Sequence, residues 1–170
     1  MDQIHRGNVA QLKRAWIYHS KDGAGNIQCN PIAVNGLIYA PTVGGAIVAI
    51  DGATGSERWR YQCDQRPAFR GLTYWKSDTL KQPRLLFNAG DWLYALDADS
   101  GQPLETFGNQ GRVKTGHFRV APAIFQDLIL IADTMATPSP LISIPAKKNG
   151  HSTRDRRRET GDTRPGAQWQ

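Results

Sequence analysis

A stretch near residue 50 is written twice. Gly45-Ala46-Ile47-Val48-Ala49-Ile50-Asp51-Gly52-Ala53-Thr54-Gly55 returns 46 positions later as Asp91-Trp92-Leu93-Tyr94-Ala95-Leu96-Asp97-Ala98-Asp99-Ser100-Gly101, with Asp51 aligned on Asp97 and Gly55 on Gly101. Each copy reads as a short apolar strand, then an Asp that hydrogen-bonds the turn through its side chain, then a Gly where the backbone needs positive φ, then a returning strand. One such hairpin constrains little. Two in register at this spacing are the mark of propeller blades, each a small antiparallel sheet.

The repeat extends outward. Pro31-Ile32-Ala33-Val34-Asn35-Gly36-Leu37-Ile38-Tyr39 comes back as Pro122-Ala123-Ile124-Phe125-Gln126-Asp127-Leu128-Ile129-Leu130, close to two periods on, and Trp16-Ile17-Tyr18 foreshadows Trp59-Arg60-Tyr61. The first residues therefore read as the last strand, Ala15 to His19, of a preceding unit. Strands are expected at Ile32 to Val34, Leu37 to Thr42, Ile47 to Asp51 and Glu57 to Tyr61. A second unit is expected at Leu72 to Phe107, with strands near Arg84 to Asn88, Leu93 to Asp97 and Leu104 to Phe107. A third opens over His117 to Pro122 and continues from Asp127 to Ala132. The fold class is all-β, a partial β-propeller of about three four-stranded antiparallel blades, since 170 residues hold fewer than four such units and a ring closes with about 4 to 8.

After residue 135 the pattern stops: no turn Asp stands at 142, no Trp at 150, and no Val, Ile, Leu or Phe follows Ile144. Residues 1–135 thus read as an incomplete propeller. Residues 136–170 read as a disordered basic tail of the composition a reading-frame shift would give, because such a segment cannot bury enough apolar surface to offset its ordering entropy. Of the net charge of +6, the tail from 147 onward holds +4, with seven cationic side chains against three acidic ones. The body is nearly neutral, so no nucleic-acid partner is expected; a basic-tail binder would rest on Arg156-Arg157-Arg158 alone. Cys29 and Cys63 have no metal-ligand spacing and read as buried thiols. His5, His19, His117 and His151 pair with no carboxylate at a metal spacing, so neither a metal ligand nor a catalytic group is assigned. No apolar run reaches the about 18 residues of a membrane-spanning helix, and the first residues start no signal peptide.

Asn8-Val9-x-x-Leu12-x-x-x-Trp16, Gln28-x-x-Pro31, the twice-written A-x-D-x-x-[TS]-G and Arg70-Gly71-Leu72-Thr73-Tyr74-Trp75 together resemble the N-terminal part of the pyrroloquinoline quinone (PQQ) dependent dehydrogenases, over about residues 3 to 135. The resemblance implies an eight-bladed ring in which a Trp near the end of each blade docks on the next. It implies PQQ and Ca²⁺ as cofactors of the intact protein, and a sugar, polyol or alcohol as substrate. It implies a periplasmic location, or the periplasmic face of the inner membrane. The Arg of Arg-Gly-x-x-Tyr approaches the quinone oxygens in the family, a role suited to a planar, permanently charged donor; here it falls on Arg70. The acidic or amide residue three before the first-blade Pro also faces the cofactor, and Gln28 holds that place. The alcohol-oxidising branch carries adjacent cysteines shortly before this arginine. Cys63-Asp64 stands there instead, which tilts the likeness toward the glucose- and polyol-oxidising branch. Val120-Ala121 replace the hydroxyl residues that the family places before the third-unit Pro. The calcium ligand and the aspartate base belong to later blades, so the fragment is expected to be inactive alone and to self-associate through its exposed blade edges. The alternative is a cofactor-free scaffold, similar to the PQQ-like-repeat propellers of outer-membrane assembly lipoproteins, which have no reason to keep Arg70-Gly71-x-x-Tyr74-Trp75.

Overall fold

The computed structural model describes residues 4–77 and 82–131, and the backbone of 142–145. Two four-stranded antiparallel sheets follow one another along the chain, each meandering from one neighbour to the next. The first is β1 (Ile32–Val34), β2 (Leu37–Pro41), β3 (Ala46–Asp51) and β4 (Glu57–Gln62); the second is β5 (Thr73–Trp75), β6 (Arg84–Ala89), β7 (Trp92–Asp97) and β8 (Arg112–Lys114). A third sheet pairs β9 (Ala123–Phe125) with β10 (Leu128–Ile131), and β10 takes β11 (Ile142–Pro145) as its other neighbour. Of the segment expected to be a tail, this strand is the part described; the remainder lies outside the described residues.

The turns explain why the chain repeats. Asn35 and Gly36, at φ 51° and 78°, fold β1 onto β2 in the left-handed geometry that suits the twist of a hairpin. After β3, Asp51 Oδ1 accepts the backbone N–H groups of Ala53 (3.0 Å) and Thr54 (2.9 Å) and the Thr54 hydroxyl (3.0 Å). After β7, Asp97 Oδ1 accepts those of Asp99 (3.0 Å) and Ser100 (2.8 Å) and the Ser100 hydroxyl (3.0 Å). Gly55 and Gly101 close the two turns at φ 74° and 73°. The expected equivalence of the two sites therefore holds atom for atom. In the first blade a bulge follows: Ala49 faces Trp59 and Ile50 faces Glu57, leaving Arg58 extra on β4, where its guanidinium returns to Asp51 at 2.7 Å.

Strand alternation assigns each blade two faces. On the central blade, Leu85 and Phe87 of β6 and Tyr94 and Leu96 of β7 pack toward the first blade, joining Tyr39, Ile47 and Ala49. Leu86 of β6 and Leu93 and Ala95 of β7 point the other way, into a second core with Phe118, Ile129 and Ile131. Because it is covered on both sides, every residue of β6 is buried and its sequence loses the usual polar alternation.

The fold departs from expectation at two places. Ala15 to His19 forms no strand, because it has no ladder partner among the described residues and is held by side chains instead. Its Trp16 nonetheless docks as a preceding blade's would: the indole N–H donates to Gly52 O (3.0 Å), as that of Trp59 donates to Ala98 O (3.0 Å). Each indole lies flat over the turn glycine of its target, so that a Cβ on Gly55 would come within 2.7 Å of Trp16 and one on Gly101 within 2.6 Å of Trp59. The outer strand of the second blade is Arg112–Lys114 and not Leu104 to Phe107, which turns back through a Leu104 N–H to Ala95 O bond (2.9 Å) and sends both apolar side chains into the second core.

Candidate functional site

Four segments of the chain converge on one cleft of about 550 Å³. Its lining comes from the segment before β1 (Gln28), the long connection between the first and second blades (Arg66 to Arg70), the end of β6 with the turn after it (Asn88, Gly90) and the connection from the second blade to the third (His117 to Arg119). Loops on a rigid scaffold are where sites form, and the cleft lies within the volume range of small-molecule sites.

The blade-to-blade connection owes its shape to β6. Pro67 bridges to Ala89 and the Ala68 N–H donates to Asn88 O at 3.0 Å, which seats the loop on the strand end. The loop then closes in a turn, Gly71 N–H to Ala68 O at 3.2 Å, and presents Arg70 outward. Gly71 has to be glycine for a steric reason. A Cβ there would sit 2.9 Å from both Asn88 Oδ1 and the Ala68 methyl, closer than side chains approach one another.

Asn88 itself is a polar residue near the end of an apolar strand, 1% exposed. Its Nδ2 donates to Phe118 O, so one buried carboxamide joins the Arg70 loop to the 117–119 segment. Its Oδ1 is buried with no hydrogen-bond partner, the kind of exception that native structures hold at few places.

Arg70 and Gln28, assigned from sequence, do come together. Arg70 Nε faces Gln28 O at 3.4 Å and an η nitrogen faces Gln28 Oε1 at 3.5 Å. Contacts this long are weak and leave the guanidinium free to exchange them for a better acceptor. Arg66, Asn88, His117 and Arg119 also line the cleft and were not among the residues singled out from sequence. An Arg66 η nitrogen donates to Val43 O at 3.3 Å, and Arg119 Nε donates to His117 Nε2 at 3.3 Å. Among the described residues no Asp or Glu lines the cleft, and three guanidiniums share it. Such a wall suits a planar anion, which the forked donors of arginine match.

The two cysteines are free thiols, Cys63 buried and Cys29 half-buried. Burial, and after it the Asp64 charge, pushes the Cys63 thiol up to about 12, and burial also raises that of Cys29. Neither is activated. Among the described residues, no three His, Cys, Asp or Glu side chains come together as a metal site, and no helix is long and apolar enough to cross a membrane.

With this geometry in view, the comparisons with known proteins are specific. The chain is 27% identical over 176 residues to the quinoprotein glucose dehydrogenase of Gluconobacter oxydans (strain 621H), covering 81% of this chain and 22% of that protein. It is 31% identical over 149 residues to the quinohemoprotein alcohol dehydrogenase of Comamonas testosteroni, covering 77% and 19%. The crystal structure of that Comamonas enzyme superposes over 77% of this chain and 20% of its own, with a TM-score of 0.55 and 26% identity. A europium-containing methanol dehydrogenase superposes with a TM-score of 0.58 at 20% identity, over 77% and 24%, which shows the shared fold. The chain thus spans about a fifth of the length of these relatives. Residues 1–142 match the family model of the PQQ glucose/ethanol/alcohol dehydrogenase β-propeller domain, and it is to this family of quinoprotein dehydrogenases that the chain belongs.

Proposed function

We propose that this chain supplies one wall of the quinone site of a dehydrogenase that oxidises a sugar, polyol or alcohol, with Arg70 and Gln28 facing the cofactor. The observation that carries the reading is the meeting of these two residues, 42 positions apart, in a cleft lined by arginines and, among the described residues, by no acid. PQQ is a planar tricarboxylate, and the donor set fits it. Held there by Arg70 and Gln28, it would supply a hydride acceptor for the oxidation.

The residues of the chain bind and orient. Arg70 offers N–H donors to oxygen atoms on which negative charge builds, and its weak contacts with Gln28 cost little to give up. The Gln28 amide can follow as donor or acceptor. Asn88 holds the loop of Arg70 in place from beneath. Among the described residues the cleft offers no carboxylate as a base for the substrate's hydroxyl proton, and the ring nitrogen of His117 that faces Arg119 is already occupied as an acceptor. The proton acceptor and the calcium site of the intact enzyme would therefore come from blades beyond the described residues. In that assembly the site would face the periplasm.

The test has two arms. The 170 residues supplied with PQQ and calcium are expected to give no dye-linked oxidation of glucose, polyols or primary alcohols. Joined to the remaining blades of a family member they are expected to turn over, and Arg70→Ala should then lower turnover by about 100-fold or more, the loss seen when one preorganised donor is removed. Equal turnover with and without Arg70 would sink the reading and favour a propeller that binds partners and no quinone.

A further inference from the structure

We propose that Arg119 is a ligand-binding residue of the cleft, and that with Arg66 and Arg70 it makes the cleft selective for planar anions carrying more than one carboxylate. The inference deepens the quinone-site reading and rests on it for the location, while its chemistry follows from the cleft wall itself.

Arg119 is placed by its neighbours. Phe118 is 1% exposed, its ring sunk in the second core and its carbonyl taken by the buried Asn88 amide. With residue 118 fixed inward, His117 and Arg119 emerge together on the cleft. His117 then accepts the Nε–H of Arg119, which fixes the plane of the guanidinium while spending one of its five N–H donors. Among the described residues no carboxylate pairs with Arg119, Arg66 or Arg70, in contrast to Arg58, Arg60 and Arg112, each of which holds an acid within 3.0 Å. Three like charges around one cleft repel one another, and the attraction they exert on a ligand grows with each carboxylate it carries. A single carboxylate can engage one guanidinium fork; a polycarboxylate can engage several. Selectivity for the number of carboxylates is the consequence.

The experiment is NMR titration of the full 170-residue chain at low ionic strength, following the arginine Nε–H resonances, with benzene-1,3,5-tricarboxylate, benzoate and PQQ as probes. The tricarboxylate is expected to shift the Nε–H signals of Arg66, Arg70 and Arg119 and to bind at least tenfold more tightly than benzoate. Arg119→Ala should weaken the tricarboxylate about tenfold, as for loss of one charge-assisted hydrogen bond. Arg14→Ala, which removes the same charge outside the cleft, should change it little, and the amide spectrum of each variant reports that it is folded. Arg119→Lys keeps the charge without the fork and should recover part of the loss. Tricarboxylate binding no tighter than benzoate, or Arg119→Ala indistinguishable from Arg14→Ala, overturns the proposal. PQQ binding equally to wild type and Arg119→Ala overturns it while the quinone reading survives. Arg119-dependent tricarboxylate binding without PQQ binding by the 170 residues supports it, and the quinone reading is then decided by the Arg70→Ala turnover test with the remaining blades.

Discussion

At the scale of single residues, the glycines of the two Asp turns carry more than a turn. Gly101 is held at φ 73° and has the Trp59 ring 2.6 Å from where a Cβ would stand, so two costs act on one atom. Left-handed backbone costs an L-residue about 1–2 kcal/mol, and forcing a methyl into a filled space adds about 1–3 kcal/mol. Gly36 meets only the first cost, since at φ 78° it has nothing within 4 Å of an added Cβ. Gly101→Ala is therefore expected to destabilise the chain by about 2–5 kcal/mol and Gly36→Ala by about 1–2 kcal/mol, read from urea unfolding midpoints. Equal losses would show that the indole moves aside freely. The Asp–Gly pairs were visible in the sequence because turn chemistry is local. That an indole from another sheet would occupy the space over Gly101 was visible only through the family resemblance.

At the scale of elements, the segment before β1 is secured by one cation. Arg60 on β4 bonds both Glu57 oxygens (2.8 and 3.0 Å), Asp22 Oδ2 (3.0 Å), Tyr18 Oη (2.9 Å) and Ser20 O (3.0 Å), and Tyr18 also donates to Glu57. Arg60 holds the Glu57 carboxyl below its ordinary range, whereas burial, seconded by the bond to Glu57, pushes the Tyr18 phenol up to about 12. Replacing Arg60 by Ala would strand two acids beside each other, so backbone amides 18–22 should exchange with deuterium faster while those of β6 and β7 do not change. Uniform acceleration would mean that the segment is fastened elsewhere. Strands β1 to β4, β6 and β7 were legible because each is a β-branched or aromatic run cut by Asn-Gly, Asp or Gly. β8 was not, because Arg112-Val113-Lys114 is a short polar strand while Leu104 and Phe107, the more apolar neighbours, spend their side chains on the core from a turn. In the cleft, Arg70 and Gln28 could be assigned through motif residues around them. Asn88, His117 and Arg119 have no local signature, and meet only because β6 and the connection after β8 share an end.

At the scale of the whole molecule, the described blades end in apolar surface on both sides. Ile4, Val9, Leu12 and Ile17 are 50–59% exposed around the first blade, and Phe125 and Val120 are 59% and 54% exposed on the third. Blade faces of this kind pack on one another, and an uncovered one associates. Sedimentation velocity of the 170-residue chain is expected to show mass rising with concentration, and Phe125→Glu should restore a monomer; a wild-type monomer at all concentrations would refute this. The indole latches also have a direction, since Trp16 reaches Gly52 and Trp59 reaches Ala98, in both cases forward along the chain by 36 and 39 residues. On the ribosome, each indole therefore leaves the exit tunnel before its docking turn does. At about 5–20 residues per second the delay is roughly 2–8 s per blade, an interval in which the newest blade offers an uncovered tryptophan to whatever chaperone or neighbour reaches it first.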